Sequence, residues 1–224
     1  MRYIRIHKEG KIILLGLLFI LFIFNLIVFA LNTGGRIFAV NTVFSAVIFA
    51  FFAYFFRNPS RIIEIDDPSL VIAPADGKIV VIEPVEEHEY FGSEKRIQVS
   101  IFMSVFNVHA NWYPVSGMVL KSVHHDGTHH AAYLPKASSE NERSTVVIET
   151  PAKTRILVRQ IAGALARRIV TYAHEGKPCH VNEHLGFIKF GSRVDIFFPM
   201  DAEIFVKVGE KTVANETIIA RLNE

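Results

Sequence analysis

Cysteine is nearly missing from this chain. Cys179 stands alone, which excludes an intrachain disulfide and any cysteine-based zinc site and suits a reducing compartment. An excess of one charge is missing as well: 24 Lys and Arg face 22 Asp and Glu, for a formal net charge of +2. That is far from the basic surface a nucleic-acid partner requires. No internal repeat, no low-complexity tract and no phosphate-binding glycine loop is present. Tryptophan occurs once, against 19 phenylalanines. With 50% hydrophobic and 21% charged residues, the 224-residue chain is neither disordered nor collagen-like.

What the chain has in quantity is apolar residues, crowded into its first quarter. Residues 12–31 (IILLGLLFILFIFNLIVFAL) and 37–56 (IFAVNTVFSAVIFAFFAYFF) are uncharged runs of 20 residues each, separated by NTGGR. At about 1.5 Å per residue, each reaches about 30 Å, the thickness of a bilayer's hydrocarbon core. They read as a helical hairpin of two spans. A cleaved signal peptide, with Val28 and Ala30 before the cut, is the competing reading, but signal cores are shorter and have no second span behind them. A hairpin lying in the interface is the other. Arg2, Arg5, Lys8 and Lys11 precede the first run and Arg57 and Arg61 follow the second, with Arg36 alone between them. This distribution puts both ends in the cytoplasm. Asn25, Asn41, Thr42 and Ser45 are expected to bind helix to helix.

Residues 1–61 thus read as a membrane anchor and 62–224 as one compact domain, large enough for its own core. The latter is rich in short β-branched and aromatic stretches: VIAPADGKIVVIEPV, RIQVSIFM, MVLKSVHH, STVVIET, TRILVRQ, HLGFIKF, SRVDIFF and AEIFVKV. With Gly, Pro and Asp breaks at 74–77, 114–117, 126–127, 151 and 176–178, the pattern predicts a mainly β domain, sandwich- or barrel-like, with few helices. Residues 160–172 (QIAGALARRIVTY) fit helix and strand equally, because Ile161, Leu165 and Ile169 recur at helical spacing while the ends look extended.

Three segments place reactive residues where a strand scaffold can present them. Asp76 lies in Pro74-Ala75-Asp76-Gly77, which by itself is an ordinary Asp-Gly turn. His109 lies among apolar and aromatic neighbours in IFMSVFNVHANWYPVSG, where a packed core histidine is the plainer reading. Gly191-Ser192 precedes an apolar strand, and Gly-Ser alone is a common turn dipeptide.

Together these segments say more. YFFRNPSR, PADGKI, SVFNVHANWYPVSG, KASSENERS, QIAGALARRIV and GFIKFGSRVDIFFP, in that order and over most of the chain, resemble the phosphatidylserine decarboxylase family in its short bacterial and archaeal form. That family has Asp more often where Asn58 stands. The resemblance implies a proenzyme that cuts itself between Gly191 and Ser192, giving a β chain of residues 1–191 and an α chain of residues 192–224 that stay together as a heterodimer. Ser192 becomes a pyruvoyl group, the only cofactor implied. Its carbonyl forms a Schiff base with phosphatidylserine in the membrane and accepts electrons as carbon dioxide leaves, yielding phosphatidylethanolamine.

In longer members an Asp and a His act with the Ser as a relay during self-cleavage. Asp76 matches the Asp. Aligned on Pro114, His109 falls on the first of two family histidines and Trp112 on the second, so the role of His109 stays open between cleavage and decarboxylation. Asn141, Glu142 and Arg143 match a segment that helps to shape the substrate pocket; otherwise they form a polar turn. The run with His124, His125, His129 and His130 has metal-like spacing, but the resemblance calls for no metal, and a solvated loop is the expectation. Arg167-Arg168, Arg57 and Arg61 would suit lipid phosphate, or surface solvation and topology alone. The expected location is the inner membrane, with the catalytic domain on the cytoplasmic face; any assembly beyond the heterodimer is left open. Three rival readings remain: an archaetidylserine decarboxylase acting on an ether lipid, a hydrolase using Ser192, His109 and Asp76 as a standing triad, and a membrane-tethered β-domain adaptor without activity.

Overall fold

A computed structural model describes residues 4–31, 34–127, 141–163, 168–189 and 192–223. The chain divides into two compact units, Met1–Ser60 and Arg61–Glu224.

The first unit is a helical hairpin. Strand β1 (Ile4–Ile6) leads into α1 (Lys8–Ala30), and α2 (Gly35–Phe55) leads into β2 (Arg57–Pro59). Both helices are long and apolar enough to cross a membrane, and most of their large side chains face outward. Each begins before the uncharged run that announced it, because Lys8, Lys11 and Arg36 continue the helix beyond the apolar stretch. His7 caps α1 by accepting the Glu9 N–H on Nδ1 at 3.3 Å. Asn25 is the polar node of the hairpin: its amide donates to Ser45 Oγ at 2.9 Å, and its carbonyl oxygen accepts from Asn41 at 2.9 Å and Thr42 at 3.0 Å. In an apolar medium such bonds hold one helix to the other. The hairpin's two ends are joined by antiparallel pairing of β1 with β2. Each strand of that ladder is only three residues long, too short for its pattern to announce it.

The second unit holds β3 (Leu70–Ile72), β4 (Gly77–Glu87), β5 (Glu94–Met103), β6 (Ala110–Trp112), β7 (Gly117–His125), β8 (Arg143–Glu149), β9 (Arg155–Ala162), β10 (Arg168–Thr171), β11 (Pro178–Cys179), β12 (His184–Lys189), β13 (Ser192–Phe198), β14 (Glu203–Ile204), β15 (Lys211–Thr212) and β16 (Ile218–Arg221). Eight of them form one antiparallel sheet in the order β11-β7-β8-β9-β13-β5-β4-β15; β10-β12-β6 and β14-β16-β3 form two smaller sheets. The mainly β reading holds. The segment 160–172 contributes strand at both ends, and residues 164–167 lie outside the described residues. AEIFVKV is a strand only over Glu203–Ile204.

Side chains from the two smaller sheets and from one face of the large sheet share a single core, in which Val71, Ile101, Met103, Val158, Ile188, Val194, Ile196, Phe198 and Ile219 are fully buried. Burying each such side chain contributes roughly 1.5–3 kcal/mol. The opposite face of the large sheet carries a smaller cluster, Val147, Leu157 and Phe197, with Tyr90 and Phe91 packed on it. Strand β13 runs through the middle of the large sheet and is buried on both faces. By the period of two, Ser192, Val194, Ile196 and Phe198 point to the main core while Arg193, Asp195 and Phe197 point to the other face.

Candidate active site

Ser192 opens β13, paired with Met103 of β5 on one side and with Ala162 of β9 on the other. It is fully buried, and its hydroxyl donates to the Met103 sulfur at 3.2 Å. The residue therefore begins a central strand instead of sitting in an exposed turn. Gly191 lies outside the described residues.

Asp76 reaches the same end of the sheet by a different route. Lys78 pairs with Phe102 and Phe102 with Arg193, so the residues two before Lys78 and one before Arg193 lie near a common edge. Gly77 is not the second half of a turn. It starts β4, and a Cβ there would meet the Phe102 carbonyl oxygen at 2.3 Å, so the close approach of β4 to β5 demands glycine. Asp76 itself is clasped. Arg61 donates to both of its oxygens, with Nη2 to Oδ2 at 3.0 Å, and the Ala214 N–H adds a bond to Oδ1 at 2.8 Å. The two side chains are only 9% and 11% exposed; a two-bond pair of this kind is among the stronger ion pairs, and removing one partner strands the other charge.

Arg61 is fixed through its backbone, since Asn215 donates to its carbonyl at 3.1 Å and is itself bonded to Asn182 at 2.6 Å. Its guanidinium also lies 5.4 Å from the centre of the Trp112 ring, on whose other contact His184 packs edge-on at 4.6 Å. In the sequence Arg61 suits lipid phosphate, surface solvation or topology. The structure gives it to Asp76 instead, a pairing between residues 15 positions apart that no local pattern signals.

His109 is fully buried just before β6. Its Nδ1 lies 3.0 Å from the Asn107 carbonyl; a carbonyl only accepts, so Nδ1 carries the hydrogen and Nε2 is the basic nitrogen of the neutral ring. Alternation gives His109 and Asn111 one side of the chain and Trp112 the other. Asn111 on that side touches Met103, the residue beside Ser192, whereas Trp112 faces Arg61 and Asp76. Asp76 thus groups with Arg61, which also lies over Trp112, Ser192 meets Met103, and His109 stands two residues before Asn111, whose amide faces the same sulfur.

The segment 141–143 also arrives here. Asn141 Nδ2 donates to the Ala162 carbonyl at 2.6 Å, and the Glu142 carbonyl accepts the Ala162 N–H at 2.9 Å. Both residues therefore brace the cross-strand neighbour of Ser192. The Glu142 carboxylate takes the Ile169 N–H at 3.0 Å and lies 3.4 Å from His124. Arg143 goes elsewhere: alternation sends it to the outer face, 3.5 Å from Glu89.

That outer face holds a second polar group. Arg159 bridges Glu87 at 2.8 Å and Glu89 at 2.7 Å, and His125 meets Glu89 at 2.7 Å. Burial works against ionising both glutamates, but it is outweighed. Hydrogen bonds from the Tyr90 and Phe91 N–H groups and from Arg159 hold the Glu87 carboxyl below its usual range, and the Arg159 charge does the same for Glu89 with help from Thr145, His125 and Arg143. Of the four-histidine run, His124 and His125 thus turn to carboxylates, and His129 and His130 lie outside the described residues, as does Arg167. Among the described residues no three metal-binding side chains converge. Burial pushes the lone thiol of Cys179 up to about 12, which leaves it protonated and unreactive.

The family model described as phosphatidylserine decarboxylase matches residues 48–220. The chain belongs to the phosphatidylserine decarboxylase family. It is 54% identical over 222 residues to the phosphatidylserine decarboxylase proenzyme of Bacteroides fragilis, covering 99% of this chain and 97% of that one. Against the proenzyme of Parabacteroides distasonis it is 51% identical, with coverage of 98% and 100%, and against that of Cytophaga hutchinsonii 50%, with 96% and 97%. As a phosphatidylserine decarboxylase family member, the chain has its Ser192 environment completed by residues that lie within the motif segments but were not singled out there. Met103, Asn111 and Gln160 read as ordinary strand residues in the sequence, and only cross-strand register brings them together.

Proposed function

We propose that this chain is a membrane-anchored, pyruvoyl-dependent decarboxylase that converts phosphatidylserine to phosphatidylethanolamine, and that it matures by cutting itself between Gly191 and Ser192. Full-length similarity to proenzymes of that name supports the activity. The observation that carries the choice of Ser192 is its complete burial at the head of β13. A standing hydrolase must present its serine to an outside substrate in this uncut state, whereas a self-cleaving precursor needs the hydroxyl to reach only its own backbone and must open to substrate only after the cut before Ser192. Burial therefore favours self-cleavage over the triad hydrolase.

The surroundings of Ser192 fit a pyruvoyl group, with Ala162 and the Met103 thioether beside it and no solvent contact. That group supplies a carbonyl with which the substrate's amine condenses and which draws off the electrons as carbon dioxide leaves. The chain's own residues do the rest. His109 Nε2 accepts a proton in cleavage or returns one to the decarboxylated carbon. Asp76, clasped by Arg61, is held in place at the same edge, and Asn141 and Glu142 hold the strand beside Ser192. The two apolar helices keep the site with its lipid substrate, which replaces a three-dimensional search by a lateral one. The arginine and lysine distribution supports a catalytic unit on the cytoplasmic face of the cell membrane.

Intact-mass measurement tests the reading. Wild type is expected as two chains, the smaller one residues 192–224 with a blocked N-terminus. Ser192→Ala is expected as one chain near 25.3 kDa without decarboxylase activity. A 33-residue fragment released from Ser192→Ala would refute the cleavage assignment.

A further inference from the structure

The Met103 sulfur that accepts the Ser192 hydroxyl at 3.2 Å also faces Asn111 Nδ2 at 3.6 Å. A thioether is a weak acceptor, so a fully buried amide N–H aimed at one is under-satisfied and calls for a reason. The bonds behind it supply one. Thr171 Oγ1 lies 2.5 Å from Ser144 Oγ and 3.1 Å from Gln160 Oε1. One hydroxyl proton serves only one of these, so Ser144 donates to Thr171 and Thr171 to Gln160. Gln160 Nε2 then donates to Asn111 Oδ1 at 2.8 Å. Every bond runs the same way, and the last donor is turned toward the sulfur beside Ser192. Room for Gln160 depends on Gly186, where a Cβ would come within 2.8 Å of Gln160 Nε2.

Resting on the assignment of Ser192, the geometry points to Asn111 as the hydrogen-bond donor that receives the negative charge arriving on Ser192 Oγ when the ester intermediate of self-cleavage breaks. In that intermediate Oγ carries the acyl group of Gly191. A base removes the Cα proton of Ser192, a double bond forms between Cα and Cβ, and the Cβ–Oγ bond breaks. Its electron pair stays on Oγ, now part of the carboxylate that ends the β chain. The dehydroalanine left behind takes up water and loses ammonia to give the pyruvoyl group. Methionine is unbranched and gives way easily. As charge builds on Oγ, the Asn111 N–H exchanges a sulfur for an anionic oxygen, a gain that exists only as the bond breaks and therefore speeds the step. The donor row behind Asn111 fixes its amide so that no reorientation is needed.

The test uses the full-length chain purified in detergent. In Asn111→Leu the ester should accumulate. It is isomeric with the precursor, so the intact mass stays unchanged, but neutral hydroxylamine should split it into two chains, the second beginning with an unmodified Ser192. Pyruvoyl formation should slow by about 10²- to 10³-fold. Gln160→Met should show the same ester with a smaller slowing, and the double variant should be no slower than Asn111→Leu alone, because both act through one amide. Pyruvoyl formation at the wild-type rate, slow processing without a hydroxylamine-sensitive bond, or additive effects would each overturn the assignment. If Asn111→Leu has no melting transition, Gln160→Met carries the same readout. Wild-type protein left uncut at Gly191–Ser192 would defeat the function reading itself, independently of any variant.

Discussion

His109 and Trp112 show how three positions of spacing divide chemistry along one short stretch of chain. Alternation gives His109 the side of Asn111, whose amide meets the Met103 sulfur beside Ser192, while Trp112 takes the other, against the Arg61 that holds Asp76. His109→Ala is accordingly expected to fail in one of two measurable ways. It accumulates uncleaved precursor on a gel if the ring serves the Ser192 hydroxyl, or it is cleaved and then turns over about 10²- to 10⁴-fold more slowly if the ring serves decarboxylation. Normal processing together with normal turnover would return His109 to a packed core residue. Trp112→Phe should process in either case, since an indole offers no proton acceptor to lose.

At the scale of elements, the eight-stranded sheet has an apolar face committed to the core and a second face on which Glu87, Glu89, Arg143 and Arg159 form ion pairs. Both glutamates have carboxyls held below the usual value of 4.5 in the folded chain. A depressed carboxyl pKa contributes stability that is fully present above the unfolded value and is lost as pH falls through the folded one. Thermal midpoints recorded from pH 7 downward should therefore hold steady until about pH 4.5 and then drop. Glu87→Gln should start lower at neutral pH, because Arg159 loses a partner, and should then lose less on acidification. Equal acid losses in the two proteins would show that this cluster does not set the acid limit. The cluster carries no signal in the sequence, because pairing Glu87 with Arg159 requires the register of four strands.

For the whole molecule, the distribution of strands would keep a chain cut before Ser192 assembled. The segment that begins at Ser192 supplies β13 to the middle of the large sheet, β15 to its edge and β16 to the small sheet beside β3. Asn215 and Ala214 of the same segment bond to Arg61 and Asp76. The proposed cleavage at its start would leave all of these intact, so the two products should elute together from gel filtration and separate only on denaturation. Orientation is an independent matter. The expected cytoplasmic face predicts that a reporter fused after Glu224, active only when exported, stays silent; strong activity would reverse the topology derived from Arg2, Arg5, Lys8, Lys11, Arg57 and Arg61.

Sequence alone determined what depends on local pattern and on chemistry confined to short segments. Two uncharged runs of membrane length gave the helices, alternation gave β4, β5, β7, β8, β9, β12 and β13, and PADG, NVHANW and FGSR drew attention to Asp76, His109 and Ser192. Residues 160–172 resisted because a helical and an extended spacing coexist there, and β14 came out shorter than its pattern since only Glu203 and Ile204 find a partner strand. Tertiary structure alone decided which side chains meet. Arg61 meets Asp76, Asn111 and Ser192 meet at Met103, and Arg143 leaves the Ser192 edge for Glu89. Each of these depends on strand register, where a shift of one residue turns every side chain to the opposite face, and register is set by the packing of the whole sheet and not by any segment within it.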